Sequence, residues 1–144
     1  MPFMKMGQTV LPAVAVACAL PYAIALLVGV AGVNVPMYDE WIWAPFVRAL
    51  HDGTLTAAAV WAPQGAHRSP VPTLLALGLA QIDGWNVHIE MLVGVALAAL
   101  TQLAVWRLLR RRLGDARRAA LPFLASSLLL FSLAQSENWL WGFQ

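Results

Sequence analysis

Between Met6 and Tyr38 the chain runs for 33 residues without a charge. Val10 to Val33 within that run would make a helix about 36 Å long, enough to cross a ~30 Å hydrocarbon layer with some tilt. Pro12 and Pro21 lie inside it. A soluble helix would break there, but a membrane helix accepts a proline when a neighbouring helix satisfies the freed carbonyl. The competing reading is a cleaved signal peptide with Lys5 as its basic start. Its apolar region would then be far longer than the usual ~7–15 residues. Ala15-Val16-Ala17-Cys18 resembles a lipoprotein cleavage box only loosely, because the leucine is absent and the chain stays apolar well beyond it. The run reads as an anchor.

Composition extends the constraint to the whole chain. Of its 144 residues 60% are apolar and 11% charged, against about 25% charged in a soluble domain. That deficit excludes a disordered tail, a nucleic-acid-binding module and an ordinary cytoplasmic enzyme. The lone Cys18 sits in mid-span, where it is a small apolar filler and can make no intrachain disulfide.

Two more apolar runs follow, about Val87–Trp106 and Ala119–Gln135, and between them lies RLLRRRLGDARR. Six of the nine basic residues (Arg107, Arg110, Arg111, Arg112, Arg117 and Arg118) fall in that segment, so the basic excess belongs to one loop. The positive-inside rule puts residues 107–118 in the cytoplasm, and Lys5 with them, two spans away. Residues 34–86 and 136–144 are then outside. Six of the eight charges on the outer side are acidic, so the net charge of +2 hides a basic inner face and an acidic outer one. The twelve-residue run from Val71 to Ile82 is too short to cross and reads as a surface or re-entrant helix, about 71–82. The seven tryptophans fit this map: none lies mid-span, which is the aromatic-belt distribution. The expected fold is an all-α integral membrane domain, with three transmembrane helices and interfacial amphipathic helices in the first outer loop.

Chemistry would have to sit in the outer segments. Asp39 and Glu40 precede Trp41, Trp43, Phe46, Val47 and Leu50, and Gly53 follows. This pattern predicts an amphipathic helix over about 39–52, with the acids at its start. Their structural role would be capping. Their functional role would be that of a carboxylate made more basic by partial desolvation at the membrane surface. His67 and Arg68 lie in a proline- and glycine-bracketed turn. Arg68 suits a phosphate through its planar fork, or a lipid headgroup by snorkelling, and Gln64 could support either role. Glu90, near the top of the second span, is costly there unless paired, and Arg68 or Arg48 is its expected partner. At the far end, Glu137 and Asn138 stand among Trp139, Trp141 and Phe143 as an aromatic belt or as a polar site facing the Asp39 segment. No glycine-rich phosphate loop, paired-cysteine or histidine metal spacing, or nucleophile elbow is present. A divalent metal held by Asp39, Glu40 and His67 would require tertiary convergence that spacing alone does not reveal.

The order of these features resembles the N-terminal part of membrane glycosyltransferases of the GT-C type: one span, a long outer loop with an early acidic pair, a second span, a short basic loop and a third span. The strings YDEW (38–41), AHR (66–68) and ENWLWGFQ (137–144) are similar to those of uncharacterised bacterial multi-span proteins in that neighbourhood. The resemblance implies residence in the bacterial inner membrane and transfer of a sugar from a polyprenyl-phosphate donor on the outer face. It matches Asp39 to the family's catalytic or metal-binding carboxylate, with Glu40 beside it and Glu137 at a second acidic position. His67 and Arg68 would serve the phosphate leaving group, with Gln64 and Asn138 as further donor contacts. Such enzymes have many more spans. The expectation is therefore a fragment, inactive alone, that works with further C-terminal spans or partner subunits. The alternative is a non-catalytic multi-pass protein, either an assembly subunit or a transporter fragment. The expected partners are the bilayer and the lipid-linked sugar, not nucleic acid.

Overall fold

A computed structural model describes residues 10–63 and 68–142, and among them all regular structure is helical. Three segments are long and apolar enough to cross a membrane: Val10–Ala31, Val87–Leu113 and Ala116–Leu140. The first is helix α1 (Val10–Ala31). Its buried residues Ala13, Ala17, Ile24 and Val28 recur at helical spacing and so form one stripe. That stripe packs against α5 (Val87–Leu113) and α6 (Ala116–Leu130).

Pro21 lies inside α1 and has no N–H, so the carbonyl of Ala17 loses its helical donor. The Gln102 side chain of α5 fills the vacancy, its Nε2 donating to Ala17 O at 2.7 Å. The same nitrogen donates to Ser127 Oγ of α6 at 2.9 Å, and Ser127 Oγ donates to Phe123 O at 2.7 Å. The sequence-level expectation that a neighbouring helix would satisfy the freed carbonyl is met by one buried amide that ties all three helices together.

Helix α5 begins with its first amides capped twice. Asn34 Oδ1 accepts from Val87 N at 2.9 Å, and Asn86 Oδ1 accepts from His88 N at 3.0 Å. At its other end α5 runs on through Arg107–Arg112, where a loop was expected. Leucine and arginine are good helix formers, and the first residue able to stop the helix is Gly114, at φ +70°. The turn to α6 is therefore short, and Asp115 caps it by accepting from Arg117 N at 3.1 Å. Helix α6 starts earlier than the expected third span and ends at Leu130. A 3₁₀ turn (Leu133–Gln135) and α7 (Ser136–Leu140) carry the chain onward.

The single helix expected over 39–52 is divided into a 3₁₀ turn (Tyr38–Trp43) and α2 (Ala44–His51). Pro45 accounts for the break, since it withholds an N–H and crowds the carbonyl four residues back. A short α3 (Ala57–Trp61), capped by Thr56, was not anticipated. Helix α4 (Pro70–Asp83) covers the expected 71–82 and stops at Gly84, φ +72°.

The core consists of Ile24, Val28, Val87, Met91, Val95, Phe131 and Trp139, with Phe131 and Trp139 stacked at 5.7 Å. The outward faces are also apolar: Leu11, Leu26 and Val30 of α1, Leu100 of α5, and Leu121 and Leu129 of α6 are all exposed. Water would penalise such a surface, and hydrocarbon would not.

Candidate functional site

The end of the bundle opposite the arginine turn gathers four pieces of chain: the residues after α1, the first 3₁₀ turn, the α4–α5 corner and α7. Trp141 fastens two of them. Its Nε1 donates to Met37 O at 3.0 Å, and its ring lies 4.9 Å from that of Tyr38. Tyr38 (φ +43°) and Trp85 (φ +65°) are the non-glycine residues at positive φ among those described, and both stand at this end. Such backbone costs on the order of 1–3 kcal/mol per residue and persists only where surrounding contacts impose it.

A cavity of about 530 Å³ opens here, lined by Tyr38, Asp39, Ser136, Glu137 and Trp141 with Met37 and Leu140. It brings together Asp39 and Glu137, expected on separate outer segments. Both are exposed, and an aromatic pair stands beside them. Carboxylates that can take or give a proton, next to a flat apolar face, form a surface suited to a polyhydroxylated ring.

Glu40 is not part of that lining. Successive residues of a 3₁₀ turn point about a third of a revolution apart, so the neighbour of exposed Asp39 turns inward and is only 2% exposed. Its Oε2 accepts from Met37 N at 2.7 Å, the backward half of a capping box. Burial pushes the Glu40 carboxyl above its ordinary value of 4.5. The backbone N–H groups of Met37 and Gly142 pull less strongly the other way. Glu90, in the first turn of α5, is fully buried close by.

The pairing expected for Glu90 is absent. Arg48 Nε instead meets Asp52 at 3.6 Å on the surface, and Arg68 is exposed. An i, i+4 partner on its own helix is simply nearer for Arg48. Neither Glu90 oxygen has a hydrogen-bond partner among the described residues. The same holds for Glu40 Oε1, Asp83 Oδ2 and Trp85 Nε1. His88, two residues before Glu90, faces α1, where its Nε2 lies 2.8 Å from Val28 O.

Asn138 is exposed beside the cleft, with Nδ2 3.5 Å from Gln135 Oε1. Gln64 and His67 lie outside the described residues, so the expected His67–Arg68 pair is not placed. Among the described residues no group of three histidine, cysteine or carboxylate side chains is arranged to hold a metal ion. Asp83 and Gly142 were not singled out from the sequence, and Trp85 was read only as one of the aromatic-belt tryptophans. The available signal was Glu90 itself, a carboxylate at the head of an apolar run. The sequence matches no family model, no curated protein and no solved structure.

Proposed function

We propose that this chain forms the outer-face cleft of a membrane glycosyltransferase, one that moves a sugar from a polyprenyl-phosphate carrier to an acceptor. The observation that supports this reading is the meeting of Asp39 and Glu137 in one cleft beside Tyr38 and Trp141. One carboxylate accepts the acceptor's hydroxyl proton as that oxygen bonds to the sugar's anomeric carbon. The bond from that carbon to the phosphate oxygen breaks, and the lipid phosphate leaves with its electrons. The cation for the departing phosphate would be Arg68, which belongs to the same outer segment as Asp39 but stands outside the cleft lining. Helices α2 and α4 lie in the headgroup layer, and the three long helices span a bacterial inner membrane with the N-terminus inside.

The test is sugar transfer in native membranes from synthetic polyprenyl-phospho-hexoses. Replacing a general base costs about 10²–10⁴-fold. Asp39→Asn should therefore lower transfer at least a hundredfold, and undiminished transfer would remove the catalytic assignment. One observation favours a non-catalytic protein instead: Arg68 does not line the cleft. Polyprenyl-phosphate binding that is lost in Arg68→Gln separates the two readings in favour of the enzyme.

A further inference from the structure

Glu40 and Glu90 belong to different elements and meet at Gly142. A Cβ added at Gly142 would stand 2.9 Å from Glu90 Oε2 and closer still to Glu40 Oε1. Two carboxyl oxygens therefore lie within 2.9 Å of one point. Both side chains are shut off from solvent, at 2% and 0% exposure. Among the described residues no donor stands in full hydrogen-bond geometry to Glu40 Oε1 or to either oxygen of Glu90, and the Gly142 N–H and the Trp85 indole N–H are the donors that act on them from nearby.

Among the described residues no positive charge is found against the pair. Asp83, at the end of α4, adds a third carboxylate that acts on Glu90, and Trp85 offers only an indole N–H. On the 3₁₀ turn the neighbour is Asp39, and on α7 it is Glu137. The His88 ring is engaged with Val28 O on α1. The ion pair found among the described residues is Arg48–Asp52, on the surface.

Two buried carboxylates confined in this way cannot both stay ionised, because their repulsion adds to the cost of desolvation. A carboxylic O–H, in contrast, supplies the donor that the orphaned oxygens lack. We propose that Glu40 and Glu90 share one proton and form a proton-dependent latch, which fastens the first 3₁₀ turn and residue 142 to the head of α5. The proton comes from water as the elements close. Hydroxide removes it at alkaline pH and leaves two anions that drive the elements apart. Because Tyr38, Asp39 and Trp141 are carried on the latched pieces, the latch sets whether the cleft is assembled. It operates whatever the cleft binds.

The experiment is infrared difference spectroscopy of the whole protein in lipid nanodiscs, paired with a spin-label distance. The labels replace Ile42 and Leu133, both exposed, in a Cys18→Ser background. At neutral pH the wild type should show a protonated-carboxyl C=O band that shifts in D₂O and disappears in Glu90→Gln and in Glu40→Gln. The label distance should lengthen at alkaline pH in the wild type and stay short in Glu90→Gln, whose amide mimics the protonated acid. If Glu90→Gln fails to fold, the wild-type band, its alkaline loss and the Glu40→Gln variant still decide. The latch is overturned by absence of the band at neutral pH in protein with the short label distance. It is equally overturned by a band that persists unchanged in both variants. A band that appears only after a chelator is added would assign the site to a bound cation, also against the shared proton.

Discussion

Gln102 carries more of this architecture than its single amide suggests. Its two N–H groups are spent on Ala17 O and Ser127 Oγ, so it answers the defect that Pro21 introduces and joins three helices in one contact. Hydrogen bonds between helices in lipid are worth about 0.6 kcal/mol on average, and at most about 1.7. Gln102→Leu leaves Ala17 O unsatisfied and should destabilise by about 1–2 kcal/mol, read by reversible unfolding in mixed micelles. In a Pro21→Ala background, where Ala17 O regains a helical donor, the same substitution should cost clearly less. Equal costs in the two backgrounds would show that the amide does not serve the proline.

Glu40 gives a second prediction at the scale of a residue. Its carboxyl holds a proton more tightly in the folded chain than in the unfolded one, through burial. Over the interval above 4.5 the folded state binds more protons, so stability falls as pH rises and is greatest on the acid side. Glu40→Gln should flatten that slope in pH-dependent unfolding. A slope of the opposite sign would mean that the Met37 amide outweighs burial and keeps Glu40 ionised.

Elements were legible wherever the residues themselves carry the signal. The apolar runs gave the three long helices; Gly84 and Gly114, which end helices at positive φ, and Asn86 and Asp115, which cap helix starts, carry signals of the same local kind that the expected boundaries did not use. Boundaries slipped where the deciding contact was subtler. Pro45 divides the 39–52 segment, and the arginine run stays helical because nothing before Gly114 can stop it. The expected partner for Glu90 failed because sequence gives the cost of a buried carboxylate but not its neighbour. That neighbour proved to be another carboxylate.

At this scale Gly142 is the sensitive position. A methyl group there would run into Glu40 Oε1 and crowd Glu90 Oε2, and overpacking of this kind costs about 1–3 kcal/mol. Gly142→Ala should therefore part the end of α7 from the first 3₁₀ turn, break the Trp141–Met37 hydrogen bond and lower the melting temperature. Gly78→Ala, on α4 with open space around it, should not. Comparable melting in the two variants would show that the close approach at Gly142 is unimportant.

The molecule as a whole is a three-helix unit whose two ends differ in charge. The arginines cluster at one end, and the acids of the cleft and the buried pair stand at the other. That asymmetry was readable from the sequence, because it needs only the order of charges and spans. The meeting of Asp39 with Glu137 was one of two readings the sequence left open, and that of Glu40 with Glu90 was not readable, because each pair spans long stretches of chain and depends on how the helices pack. For the cleft to meet a lipid-linked sugar at the outer face, the acidic end must lie outside the membrane and the arginine turn inside.

An impermeant maleimide applied to sealed right-side-out vesicles tests this directly, with single cysteines at Thr54 and Arg112, both exposed, in a Cys18→Ser background. Thr54→Cys should label in intact vesicles, and Arg112→Cys only after the membrane is permeabilised. The reverse pattern would invert the orientation, and labelling of both in intact vesicles would contradict the membrane-spanning account altogether.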